Sequence, residues 1–221
     1  GIDVTIPRLV DALIAATRDT EPTAAVCAVA GVGDERTSEA IAAGVRAAGI
    51  AFPVAIVGDV LAAAAAGLAD GPGILVWSGT GSFAIARAAN GELHRVGGRG
   101  YLLGDQGSGY DFVRRASAAV LLALDDLGPA TALTEALTTA FRASSPARLG
   151  AVLQRLDTAA VAAQLPVVLE VAARGDAVAQ DVLQSSVDGL VMLATGALRR
   201  AELDWREQSI AFGGGVLRNA P

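Results

Sequence analysis

The chain has 221 residues, 52% hydrophobic and 18% charged, with a formal net charge of −6. That length is room for one large domain or two small ones, and a core of that size needs no staples. With no basic cluster beyond Arg114-Arg115 and Arg199-Arg200, the composition excludes nucleic-acid binding through phosphate neutralisation.

The single cysteine, Cys27, excludes an intrachain disulfide or a thiolate metal cluster, and no other metal site is expected. Its apolar setting reads as a buried structural thiol. No apolar run is long enough to span a bilayer and no signal peptide is visible, so a soluble, cytoplasmic protein without a membrane partner is expected.

Ile6, Leu9, Val10, Leu13 and Ile14 fall at helical spacing. Ala24 to Ala30 reads as a buried strand, followed by a Gly31-Val32-Gly33 turn. Glu35 to Ala48 reads as a helix stopped by Gly49, and Pro53 to Val57 as a second strand. Gly58-Asp59 then opens a helix through the alanine tract Ala62 to Ala66. This strand–helix–strand–helix order implies an α/β layer with parallel strands.

Asp70-Gly71-Pro72-Gly73 is the best boundary, which gives residues 1–70 and 71–221 as two domains. Ile74 to Ser78 reads as a strand. Phe83 to Ala89, Asn90-Gly91 and Glu92 to Val96 read as a hairpin with a type I′ turn, carrying His94 as a structural histidine. From Gly109 almost to Glu202 the pattern is helical, broken at Gly128-Pro129, Ser144-Ser145-Pro146 and Gly175. Arg114, Arg115, Arg199 and Arg200 read as solvated helix faces. Gln208 to Phe212 is a last strand, before Gly213-Gly214-Gly215. Both ends read as cut, and the first α/β layer reads as incomplete.

Two glycine-rich loops carry the chemistry. Six of the thirteen positions from Gly97 to Gly109 are glycine, with Asp105 among them. Such density costs backbone entropy, and its usual reason is backbone lying close to a ligand. Ser78-Gly79-Thr80-Gly81-Ser82 follows a strand, where backbone N–H groups and a Thr hydroxyl can point at phosphate oxygens. An ordinary tight turn is the plain alternative there. Asp59 and Asp105 each open a helical pattern, so N-capping and a chemical role both stand open on the residues alone.

In their order along the chain, Ser78-Gly79-Thr80-Gly81-Ser82, the hairpin, Gly97-Gly98-Arg99-Gly100, Gly104-Asp105-Gln106-Gly107-Ser108 and Gly213-Gly214-Gly215-Val216 form a pattern. It resembles the N-acetylglucosamine kinase branch of the sugar kinase/Hsp70/actin superfamily. The same sequence family includes the ATPase activators of benzoyl-CoA reductase and 2-hydroxyacyl-CoA dehydratase. The resemblance covers nearly the whole chain. It implies an α/β fold of two ribonuclease-H-like, actin-like ATPase lobes with mixed sheets flanked by helices, the N-terminal lobe incomplete. The family's phosphate-binding Asp-Gly-Gly-Gly-Thr hairpin has no match here, as a missing N-terminal segment would explain.

By resemblance the chain is an ATP-dependent kinase of glucosamine or N-acetylglucosamine acting at the 6-hydroxyl. Asp59 is then the catalytic base and also touches the sugar. Ser82, Gly98, Arg99, Gly100 and Asp105 bind sugar, and Thr80, Gly81, Gly213, Gly214 and Gly215 bind the nucleotide. Mg²⁺ comes with ATP, held mainly by phosphates and water. Sugar and ATP are the expected partners, with a homodimer implied by family habit. Phe83 departs from the vertebrate-type kinases, which carry a sugar-contacting Asn there. A phenyl ring cannot supply those hydrogen bonds, so glucosamine and N-acetylglucosamine both stay open.

Two other functions fit the family. An ATPase activator would hold an iron–sulfur cluster with two cysteines from each of two subunits, and this chain has only Cys27. A non-catalytic sugar sensor would not need both Asp59 and Asp105.

Overall fold

The computed structural model describes residues 2–32, 34–68 and 71–218. Gly33 of the first predicted turn and Asp70 of the predicted boundary lie outside the described residues. The chain divides into two compact units, Gly1–Ala66 and Gly67–Pro221. The fold is mixed α/β, with parallel and antiparallel strands and flanking helices.

The first unit holds α1 (Ile2–Ala16), β1 (Ala25–Val29), α2 (Glu35–Ala47), β2 (Val54–Gly58) and most of α3 (Asp59–Gly67). β1 and β2 pair in parallel from Ala25↔Val54 to Val29↔Gly58. Leu13, Ile41, Val45, Val54 and Ile56 form its core, with Ile6, Leu9 and Val10 of α1 against it. Asp34 caps α2 by accepting from the Thr37 N–H at 2.8 Å.

β1 is not the fully buried strand expected. Alternate residues face out, and Val26 is 71% exposed. Among the described residues the helices cover only one face, so period-two burial replaces the uniform kind. Cys27 is accordingly half-buried, and desolvation pushes its thiol pKa up.

The second unit is built on β3 (Gly73–Ser78), β4 (Ser82–Arg87), β5 (Leu93–Gly97) and β6 (Ser209–Gly213). They lie in the order β5-β4-β3-β6, with β3–β4 and β4–β5 antiparallel and β3–β6 parallel. The long α9 (Ala177–Arg200) packs one sheet face, setting Leu190, Leu193 and Ala197 against Ile74, Val76, Ala84 and Ala86. Small residues let it approach closely. A Cβ on Gly196 would lie only 3.3 Å from Val96.

A helical layer of α4 (Gly109–Leu124), α5 (Leu133–Ala140), α6 (Leu149–Leu153), α7 (Thr158–Ala162) and α8 (Leu165–Ala173) surrounds Val113, Val120, Leu133, Leu137, Leu149, Val161 and Val168. Each such aliphatic is worth about 1.5–3 kcal/mol of burial. A short α10 (Gly215–Arg218) follows β6.

The hairpin connection differs from the type I′ turn expected. Gly91 has φ +86 but Asn90 is not among the residues with positive φ. The Gly91 N–H bonds the Ala88 carbonyl at 2.9 Å, and Arg87 pairs with Leu93. The turn is therefore of type I with one left-handed glycine. The Asn90 side chain takes the Glu92 N–H at 2.9 Å instead of supplying a left-handed backbone. His94, in β5, is half-buried with Nε2 3.9 Å from Glu92 Oε1.

Asp176 ties two helices together. Its carboxylate caps α9 through the Ala179 N–H at 2.9 Å, and accepts from the Ala132 N–H at 2.8 Å and the Thr131 hydroxyl at 2.9 Å. Burial raises its pKa, but the bonds from Ala179, Ala132 and Thr131 outweigh this and hold it below the ordinary value. A lowered folded pKa means the stabilisation is present above the unfolded value and is lost as pH falls through the folded one. Asp176→Ala is expected to cost about 2 kcal/mol at pH 7, roughly 4–8 °C in Tm. Thermal unfolding at pH 7 and at acid pH checks this, since wild type and variant should converge in acid.

Candidate functional site

The sheet brings four distant stretches to one end. Ser78 pairs with Ser82, Phe83 with Gly97 and Trp77 with Gly213, so β3, β5 and β6 finish where β4 begins. The turn 79–81, the loop 97–108, the start of α4 and the segment 213–215 therefore meet. The carboxyl end of parallel strands is where α/β sheets bind ligands.

Asp105 stands at the middle of this end. It is 9% exposed and adopts φ +58, a conformation few residues other than glycine, Asn and Asp accept. An added Cβ on Gly81 would lie 3.0 Å from Asp105 Oδ2, so the carboxylate rests against the turn. Desolvation raises its pKa, opposed by N–H bonds from Ser82 and Gly100 and by the charge of Arg95; the charge of Asp111 adds to the rise. The net direction is upward. A buried carboxylate that accepts from two backbone N–H groups still has lone pairs with which it can accept from hydroxyl groups.

Asp105 is not the cap of the following helix. Ser108 is, accepting the Asp111 N–H at 3.1 Å, while the Asp105 carbonyl takes the Ser108 N–H at 3.1 Å.

Two buried serines hold the loop. The Ser78 hydroxyl donates to the Gly107 carbonyl and the Ser82 hydroxyl to the Gln106 carbonyl, both at 2.7 Å. Ser82 thus offers the site its N–H, and its hydroxyl serves to place the Asp105 loop. The Gly98 N–H bonds the Ser82 carbonyl at 2.8 Å and the Gly100 N–H bonds the Asp105 carboxylate, while Arg99 is exposed between them. Tyr101, Leu102 and Leu103 are exposed on the same loop, Tyr101 with its ring edge-on to Tyr110 at 5.0 Å.

Phe83 stacks on Trp77 with ring centroids 6.0 Å apart, and the Arg95 guanidinium lies over the Phe83 ring, 5.6 Å from its centroid. It is 7% exposed, so it works as packing rather than as a hydrogen-bonding residue.

Beside the turn is a groove of about 490 Å³. Thr80, Gly215 and Val216 line one wall, Ala159, Ala162 and Leu169 the other. Gly214, at φ +88, admits no side chain: a Cβ would overlap the Ser78 carbonyl. Gly213 lies against the Trp77 ring and Gly215 borders the groove. A Thr hydroxyl, glycine backbone that a ligand can approach closely and an apolar slot together suit a nucleotide. The alanine and leucine wall was not foreseen, because Ala159, Ala162 and Leu169 look like ordinary helix residues.

Asp111 was also missed. Its carboxylate takes Arg114 Nη2 at 2.7 Å, Arg115 Nε at 2.8 Å and the Gly107 N–H at 3.0 Å. Arg114 and Arg115 are therefore not simply solvated, contrary to the reading from sequence; the Asp-x-x-Arg-Arg spacing at i+3 and i+4 was the available signal. Arg200 likewise reaches the Arg95 carbonyl at 3.4 Å.

Asp59 belongs to the first unit. It is the first residue of α3, exposed, with Oδ1 accepting the Val60 N–H at 2.9 Å. Among the described residues no group of three or more His, Cys, Asp or Glu could hold a metal ion, and no helix is long and apolar enough to cross a membrane.

Comparison with known proteins gives this geometry a setting. The chain is 28% identical over 203 residues to an N-acetylmuramic acid/N-acetylglucosamine kinase of Clostridium acetobutylicum, covering 90% of this chain and 66% of that protein. It is 31% identical over 139 residues to an N-acetyl-D-glucosamine kinase of Dictyostelium discoideum, covering 62% of this chain and 44% of that one. It therefore spans less than two thirds of these curated relatives' lengths. A solved structure from Chromobacterium violaceum, provisionally named an N-acetylglucosamine kinase, superposes with TM-score 0.75 at 26% identity, over 99% of this chain and 75% of that one. The sequence profile of one family matches residues 4–221, and the chain belongs to that family, the BadF/BadG/BcrA/BcrD ATPases.

Proposed function

We propose that this chain belongs to an ATP-dependent kinase that phosphorylates an amino sugar, glucosamine or an N-acetylated relative, at its 6-hydroxyl. The observation that carries the reading is the junction of a buried acceptor, Asp105, with a glycine turn that opens onto an apolar groove. A polyol needs the first and a nucleoside triphosphate the second. The kinase names of the relatives support it.

In this reading Asp105 takes hydrogen bonds from sugar hydroxyls, with Gly98, Arg99 and Gly100 beside it. Thr80 and Gly81 present N–H and hydroxyl donors to the phosphates. Gly213, Gly214 and Gly215 let the nucleotide approach the backbone, and its apolar part enters the groove. Mg²⁺, when bound with ATP, would be held mainly by the phosphates and water and would offset the phosphate charge. The 6-hydroxyl oxygen attacks the γ-phosphorus, the bond to the β-phosphate oxygen breaks, and ADP leaves. Asp59, matched to the family's base by its place after a strand, takes the hydroxyl proton.

A coupled ADP-release assay on the full-length protein tests this, with glucosamine, N-acetylglucosamine, N-acetylmuramic acid and glucose each added to ATP and Mg²⁺. ADP release that depends on an amino sugar is the expected result. Release that ignores every sugar, or none at all, would move the assignment to an ATPase activator or a sugar sensor.

A further inference from the structure

We propose that Asp111 is a positioning residue: its carboxylate, clamped by Arg114 and Arg115, holds the Gly107 amide and so sets the aim of Asp105 at the sugar. The proposal rests on the reading of Asp105 as the sugar acceptor.

Asp111 is 5% exposed in the first turn of α4. An ordinary capping box sends the side chain three residues after the cap back to the cap's own N–H. Here the Ser108 N–H is already taken by the Asp105 carbonyl at 3.1 Å. Asp111 reaches one residue further, to the Gly107 N–H at 3.0 Å. The departure matters because the short loop holds two left-handed residues, Asp105 at φ +58 and Gly107 at φ +72. Such conformations persist only where the surroundings over-determine them. Ser82 and Ser78 grip the carbonyls of Gln106 and Gly107, and Asp111 grips the one amide between them.

The arginines have a second task. A bare carboxylate at Asp111 would oppose the charge of Asp105, so Arg114 at 2.7 Å and Arg115 at 2.8 Å neutralise it from the outer side of the helix. A helix dipole favours an acid in the first turn, but it accounts for neither a fork of arginines nor a bond to a residue outside the helix.

Asp111→Asn in the full-length protein keeps the side-chain size and one acceptor but loses the charge-assisted bonds. The expected result is a KM for sugar about tenfold higher, with the KM for ATP changed by less than about twofold. Amide hydrogen exchange at residues 105–108, measured without sugar or nucleotide, should accelerate while β3 and β4 stay protected. Arg115→Gln, on a flank that is 34% exposed, should shift both readouts the same way by a smaller factor. It keeps the test alive if the Asn variant fails to fold. Equal rises in both KM values, or unchanged exchange at 105–108, would overturn the proposal. The exchange readout needs no turnover. A wild-type protein inert toward every sugar would therefore sink the kinase reading, while exchange alone would still decide whether Asp111 holds the loop.

Discussion

Asp59→Asn is expected to lower kcat by about 10²–10⁴-fold, with the KM values for sugar and ATP near those of wild type. Proton acceptance is needed only as the hydroxyl attacks, so its loss falls on the chemical step and not on binding. The substitution separates this role from the structural one. Asn is as good a cap as Asp, and its side-chain oxygen can still accept the Val60 N–H that Asp59 holds at 2.9 Å. A residue that only capped α3 would leave kcat intact. Single-turnover kinetics with saturating sugar and ATP, alongside thermal unfolding, decides between the two.

Asp105→Asn is expected to lower kcat/KM by about 10²–10³-fold, because sugar hydroxyls lose a charged acceptor for more than one hydrogen bond. The same change should leave Tm at pH 7 equal or higher. Burial, with the charge of Asp111, raises the Asp105 pKa against the N–H bonds of Ser82 and Gly100 and the charge of Arg95. A raised folded pKa means the contribution to stability is full below the unfolded value and is lost as pH rises through the folded one. At neutral pH the ionised acid is therefore a cost to the fold. Asn removes that cost and tolerates φ +58. The acid limb of the wild-type kcat/KM profile should correspondingly lie above the ordinary Asp value of about 3.9. A variant that stayed active and melted lower would make Asp105 a structural residue.

The legible parts of this molecule were those whose signal is local. Period-3.6 apolar spacing in α1 and α9, and glycine stops at Gly49 and Gly175, placed helices near where they lie. Glycine density between Gly97 and Gly109 pointed to the loop that carries Asp105. The failures came where a neighbour far along the chain decides. Val26 faces outward because the helices of its unit cover the other side of β1, which no run of apolar residues reveals. Asn90 uses its side chain, not its backbone, in the hairpin. Arg114 and Arg115 look like solvent-facing charge until Asp111 is seen folded under them. The groove wall of Ala159, Ala162 and Leu169 is made of residues whose type says only helix, and it becomes a wall because α7 and α8 stand beside the turn at Thr80.

Phosphorus NMR of the products formed by the full-length protein from ATP, Mg²⁺ and an amino sugar tests the central claim most directly. The expected spectrum shows ADP and a phosphomonoester coupled to the protons on the sugar's sixth carbon, both formed at least about a hundredfold more slowly when Asp59 is Asn. ADP with inorganic phosphate and no phosphomonoester would contradict the kinase reading and assign the site to ATP hydrolysis.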